Sequence, residues 1–208
     1  ILGHILSNLV RSPVDDVVIV VGVMQDMVVD YVTERFGNVL EVSFVEQART
    51  EGLGHSVYQA RERVAGDRLC ILLGDMLFDS GYDRFIRAHE SLDGVDGSIG
   101  IASVDEPENY GIVTVENDRI VDLEEKPEDP ESDLAISGVN FVEDSTQLFD
   151  AIEYLIENDL RGADGEYQLT DALQRMIERD AEFGTVPVEG WYDCGQPGTL
   201  LEANRVLL

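Results

Sequence analysis

The sequence predicts an α/β fold with a mixed, mostly parallel sheet and helices on both faces. Three observations lead there. Continuous apolar runs rich in Val, Ile and Leu, at residues 17–21 and 69–73, mark strands buried on both sides. Segments with apolar residues three or four apart alternate with these runs, which is the βαβ rhythm. A chain of 208 residues, 44% of them hydrophobic, is long enough for one domain with a sizeable core.

Each element has its own signal. Leu2, Ile5, Leu6, Leu9 and Val10 share a helical face with no strand or cap before it, so the polypeptide reads as starting inside a fold. Residues 17–21 form a strand closed by Gly22, 27–36 a helix, and Val42, Phe44 and Val45 the next strand. A helix over 54–64 leads to the strand 69–73, which ends at Gly74-Asp75. A helix over 85–92 and a strand over 97–102 follow. The rhythm then changes: 112–115 and 120–123, joined by Glu116-Asn117-Asp118, read as a hairpin. A strand at 139–142, helices at 148–156 and 169–177, a strand at 183–188 and a helix at 200–208 complete the chain. There are no internal repeats and no low-complexity linker.

Composition excludes several functions. With 43 Asp+Glu against 14 Lys+Arg, the chain carries a formal charge of −29, which argues against nucleic acid or an anionic membrane as partner. Acid spread over the surface of a normal core is the composition of a protein suited to salt-saturated cytoplasm, where ions screen self-repulsion. A requirement for high salt is therefore expected. Cys70 and Cys194 form neither a metal-ligand spacing nor a disulfide framework. No signal peptide is visible and no apolar stretch reaches the ~18 residues of a membrane span, so a soluble cytoplasmic protein is expected.

Thirteen of the 14 basic residues are Arg; the single lysine, Lys126, sits in Leu123-Glu124-Glu125-Lys126-Pro127. A compact ammonium suits a phosphate, although a leftover lysine before a proline turn accounts for it equally. Asp75 and Asp193 stand at strand ends beside glycines, where open α/β sheets bind ligands. Two such carboxylates could share a hard cation with substrate phosphates, or each could simply cap the segment that follows. Gly52-Leu53-Gly54-His55 is a glycine-rich turn opening a helix, by default an ordinary loop. Period-2 alternation puts Val121, Leu123 and Glu125 on the inward face and Asp122, Glu124 and Lys126 on the other. A carboxylate on an inward face needs partners, and sugar hydroxyls would serve. Thr170 and Asp171 fit the first turn of a helix as capping and dipole residues, leaving Glu166 freer to reach a ligand.

Together, in order, these motifs resemble the sugar-1-phosphate nucleotidylyltransferases. They are Gln47…Glu51-Gly52-Leu53-Gly54-His55, Leu73-Gly74-Asp75, Tyr110-Gly111-Ile112-Val113, 123–127, Ser137-Gly138-Val139, 165–171 and 191–195. The likeness is greatest to glucose-1-phosphate thymidylyltransferases and related uridylyltransferases, and it covers essentially the whole chain. It implies the Rossmann-like nucleotide-diphospho-sugar transferase fold, as a single nucleotidyltransferase domain over 1–208. It also implies roles. Asp75 and Asp193 bind a catalytic Mg²⁺, Gln47 and Gly52 meet the nucleobase, and Gly111, Glu125 and Val139 line the sugar pocket. Glu166 binds sugar hydroxyls and Lys126 holds the sugar phosphate.

The partners implied are a nucleoside triphosphate, dTTP or UTP, and a sugar 1-phosphate, with glucose 1-phosphate the leading choice. Relatives of this kind often assemble as homo-oligomers. One departure stands out: the family begins with a strand and a G-x-G-T-R loop followed by P-K, which grips the triphosphate and is not found in these 208 residues. The chain alone is therefore expected to be inactive or nearly so, and the intact protein to be an enzyme. A non-catalytic homologue that senses sugar nucleotides is the alternative; a dinucleotide-binding oxidoreductase would need G-x-G-x-x-G after the first strand, and Gly22 lacks those companions.

Overall fold

The computed structural model describes every residue except 15, 23, 24, 79, 80, 196 and 208, and no side chain at 197, 198, 202, 206 or 207. The first half of the chain runs α1 (Leu2–Leu9), β1 (Asp16–Val21), α2 (Gln25–Phe36), β2 (Glu41–Glu46), α3 (Leu53–Gln59), α4 (Arg61–Val64), β3 (Leu69–Leu72), β4 (Met76–Phe78), α5 (Tyr82–Glu90) and β5 (Gly97–Ser103). The second half runs β6 (Gly111–Glu116), β7 (Arg119–Glu125), β8 (Leu134–Val142), α6 (Ser145–Glu157), α7 (Leu169–Ile177), β9 (Phe183–Pro187), β10 (Trp191–Asp193) and α8 (Pro197–Leu207). The final helix therefore starts three residues earlier than its spacing indicated, and Leu208, expected to end it, lies outside the described residues.

The principal sheet has the order β7-β6-β8-β5-β9, and β3 pairs with β8 as well. One edge of β8 carries β5 (for example Ile99↔Asn140); the other is shared between β3 (Ile71↔Asn140) and β6 (Ile112↔Ala135). The α/β class and the mixed sheet are as expected, but the predicted parallel majority is not. Of the seven strand pairings among the described residues, only β1–β2 and β5–β9 are parallel. An apolar run reports that both faces of a strand are covered; it carries no information on the direction of the neighbour. Here β8, arriving late in the chain, inserts antiparallel between β3 and β5.

Helices cover both faces of the sheet, each over its own apolar cluster. Ile99, Ile101 and Val142 face Leu148, Ile152, Leu169 and Leu173 of α6 and α7. Val139 and Phe141 face the opposite way, toward Leu6 of α1, Val32 of α2 and Phe85 of α5. Strands β1, β2 and β3 are half-buried along most of their length, less covered than their composition demands. Among the described residues β1 pairs only with β2, and β3 only with β8.

The hairpin forms as read, turning at Asn117 and Asp118, whose φ values of 49° and 63° suit a two-residue primed turn. Its alternation does not hold throughout. A bulge shifts the register between Thr114 and Val115, so Ile120 and Leu123 are buried while Val121 is exposed. The two-piece helix 53–64, interrupted at Ala60, and the three-residue strands β4 and β10 are further departures.

Candidate functional site

A cleft of about 400 Å³ opens between β8, α7 and the ends of β7 and β10; Asp75, Gly111, Glu125, Lys126, Asn140 and Asp193 are among its lining residues. Strands 3, 7 and 10 thus deliver their carboxyl-terminal residues to one place.

The two aspartates meet through the β4–β10 ladder, which pairs Asp193 with Met76, the residue after Asp75. The Cys194 amide donates to the Asp75 carbonyl at 2.8 Å and clamps the corner. Asp193 Oδ1 and Asp75 Oδ2 lie 3.0 and 3.3 Å from a single point, where a Cβ on Gly195 would stand, so the carboxylates converge. Asp193 accepts from the Gly195 amide at 2.7 Å, and Asp75 is followed by a strand rather than a helix. Burial, with the Asp193 charge adding to it against an opposing backbone hydrogen bond, lifts the Asp75 carboxyl above its usual range. Two converging carboxylates with no cationic partner among the described residues are a donor set for a hard cation that takes its remaining ligands from elsewhere.

Glu125 and Lys126 are adjacent in sequence and would face opposite ways in a continuing strand. Lys126 instead adopts φ 49°, a left-handed conformation unusual for a long side chain, and both residues line the cleft. Glu125 accepts from Thr170 Oγ1 at 2.6 Å. That hydroxyl therefore does not cap α7, which has Gln168 at its N-cap and no side-chain cap. Asp171 does not cap it either; burial and the Glu125 charge raise its pKa. The Lys126 ammonium donates to Asp164 at 2.5 Å and remains 43% exposed. Asp164 itself sits at φ 60° in the turn 163–165.

Gln47, Gly52 and Glu166 form a second group beside the cleft rather than in its lining. The Gln47 side chain donates to the Gly52 carbonyl at 3.2 Å and contacts His55 Nδ1 at 3.1 Å. Gly52 has φ 109°, and a Cβ there would stand 2.6 Å from the Tyr167 carbonyl oxygen and 2.8 Å from Glu166 Cβ. Reciprocal backbone bonds complete the seam, Tyr167 N–H to Glu51 O at 2.9 Å and Gly54 N–H to Tyr167 O at 2.8 Å. The glycines of this turn thus admit the protein's own backbone. Glu166 is half-buried; the bond to Asp164 above all holds the Lys126 ammonium protonated, with the charges of Glu125 and Glu166 adding to it.

The side chain of Val139 is not brought to the cleft. It is 1% exposed and packs in the cluster on the opposite face of the sheet. The period of 2 along β8 explains this: Ile136, Gly138 and Asn140 face the cleft, so the residue between them cannot. Sequence reasoning missed Asn140, Tyr110 and Thr170. Asn140 had a readable signal, a lone amide inside a strand otherwise apolar from 139 to 142.

A family model described as nucleotidyl transferase matches residues 1–208. The chain is 31% identical over 209 residues to the bifunctional protein GlmU of Methanocaldococcus jannaschii, an alignment covering 100% of this chain and 47% of that one. It is 32% identical over 212 residues to a glucose-1-phosphate thymidylyltransferase of Streptomyces antibioticus, covering 100% of this chain and 57% of the other. The chain spans about half the length of the curated relatives it matches. A solved UDP-glucose pyrophosphorylase complexed with UDP-glucose shares the fold, with a TM-score of 0.83 and 21% identity over 98% of this chain and 84% of that one.

Proposed function

The chain belongs to the sugar-1-phosphate nucleotidyl transferases, and on that premise we propose that the whole protein joins a nucleoside triphosphate, dTTP or UTP, to a sugar 1-phosphate. Glucose 1-phosphate is the sugar phosphate we favour. The observation that carries this reading is the cleft itself, where the only lysine of the chain and a convergent aspartate pair line one cavity.

In the proposed reaction an oxygen of the sugar phosphate attacks the α-phosphorus of the triphosphate in line. The bond from that phosphorus to the β-bridging oxygen breaks, and pyrophosphate leaves with the electron pair. Such chemistry asks the protein for positioning and charge neutralisation. Lys126 would grip the sugar phosphate, exchanging Asp164 for it, while Glu125, held by Thr170, and Glu166 at the rim would take sugar hydroxyls. Gly111 keeps the floor open, because a Cβ there would stand 2.8 Å from Glu125 Oε2 and 3.0 Å from Ile136 Cδ1. Gln47 and the turn at Gly52 would face the base.

Asp75 and Asp193 fit Mg²⁺, being oxygen donors that converge on one point. When bound, the ion would offset the charge of the gathered phosphates.

The test uses the complete polypeptide in about 2 M KCl, a level suggested by the acidic surface, with Mg²⁺ present. Pyrophosphate release that needs both substrates, and that is lost in Asp75→Asn and Lys126→Ala, is expected. No release with any pair, together with tight binding of a nucleotide sugar, would turn the assignment to a sensor of sugar nucleotides.

A further inference from the structure

We propose that Asn140 reads the sugar from the floor of the cleft, accepting a hydrogen bond from a hydroxyl on the side of the ring away from the phosphate. The inference rests on the sugar-phosphate reading above and adds a specificity residue to it. Asn140 is 2% exposed, lines the cleft, and its Oδ1 is buried without a hydrogen-bond partner. Its cross-strand neighbours are Ile71 on β3 and Ile99 on β5, both apolar, and Leu173 of α7 lines the same cavity. Among the described residues no protein group offers that oxygen a proton. A buried acceptor in such surroundings is destabilising unless something supplies a donor, and the residue that carries it lines the cleft.

The two polar ends of the cavity differ in depth. Lys126 is 43% exposed and Asn140 is 2% exposed, so an occupant whose phosphate meets the lysine carries its other end inward. In a pyranose 1-phosphate that inner end bears the 3- and 4-hydroxyls. An apolar cavity tolerates the loss or gain of a hydroxyl, whereas one built around a buried acceptor rejects an analogue that lacks the donor.

The experiment measures binding and turnover of glucose 1-phosphate and its 2-, 3- and 4-deoxy analogues by the complete polypeptide, for the wild type, Asn140→Leu and Asn140→Ala. The wild type should bind the 3- or the 4-deoxy analogue about 10- to 100-fold more weakly than the parent while tolerating the 2-deoxy compound better. Asn140→Leu should bind parent and analogue alike, and should melt at a higher temperature because an unpaired amide has been replaced by a side chain of similar size. Asn140→Ala gives the same loss of discrimination without the added bulk. Turnover with unchanged discrimination in both variants overturns the assignment to Asn140 while leaving the transferase reading intact. Failure of every sugar phosphate to bind overturns both.

Discussion

Two concavities flank the β6–β7 hairpin, the cleft of about 400 Å³ on its inner face and a hollow of about 320 Å³ on its outer face. The hollow is lined by Glu116, Asp122, Glu124, Asp129 and Glu131 and contains no basic side chain. Asp122 accepts from Gln174 Nε2 at 3.0 Å; among the described residues no hydrogen bond or ion pair reaches the other four carboxylates. In the cleft the acids are instead placed: the Glu125 carboxylate by Thr170 and the Asp193 carboxylate by the Gly195 amide, with Asp75 held at its backbone carbonyl by the Cys194 amide. The difference teaches that carboxylate count does not identify a site in so acidic a protein. Partners that fix a carboxylate's direction do, together with a cation close enough to give an anionic ligand a foothold.

The largest expected contrast is in activity. Lys126→Ala should lower kcat/KM of the complete protein by about 10²- to 10³-fold, the size seen when one charge-stabilising group is removed from a transfer site. Glu124→Gln combined with Asp129→Asn in the hollow should change it by less than about twofold. Comparable losses in both would erase the distinction between the two concavities. Asp75→Asn should cost a similar 10²-fold or more in turnover and yet raise the melting temperature at pH 7. Its carboxyl is raised in the folded state, mainly by burial, so the folded protein binds more protons than the unfolded chain between the two pKa values. Stability therefore falls as pH rises through that window, and the asparagine escapes the loss. The gain should vanish below the normal carboxylate range; a melting profile of the variant parallel to the wild type at every pH would refute it.

Smaller effects test how the cleft is held. Gly52→Ala should destabilise the protein by about 1–3 kcal/mol, because the residue sits at φ 109° with the Tyr167 carbonyl in the way. Denaturant titration would read this directly, and an unchanged midpoint would mean the seam between 51–54 and 166–168 is soft. Smallest is Asp164→Asn. Freed from its exposed counter-ion, Lys126 should bind the sugar phosphate up to about fivefold more tightly in dilute buffer, with the difference shrinking as salt screens the pair. A difference that grows with salt would show that Asp164 does not compete for the ammonium.

Much of the fold was legible because the signals were long. Residues 17–21, 42–45 and 97–102 could declare themselves as strands by composition, and 169–177 as a helix by spacing. What escaped was short or irregular. Strands β4 and β10 hold three residues each, too few for any periodicity, yet their pairing brings Asp75 to Asp193. The bulge that exposes Val121 and the left-handed φ of Lys126 break a period of 2 that the residues themselves obey in pattern. The side chain of Val139 packs on the face opposite the cleft, while its neighbours Gly138 and Asn140 line it, a difference of one residue that inverts a strand's side chain.

By itself the sequence determined the α/β class and the acidic surface, and it singled out Asp75, Glu125, Lys126 and Asp193 as candidates, since these follow from local pattern, the rarity of lysine and the family resemblance. Only the tertiary structure decided the antiparallel insertion of β8, the turn of Lys126 into the cleft, the use of the Gly52 turn to seat Tyr167, and the burial of Asn140 Oδ1 with no partner among the described residues. Each of these depends on contacts between segments far apart in the chain, and whether a buried polar atom is paired is a property of its neighbours rather than of its own residue type.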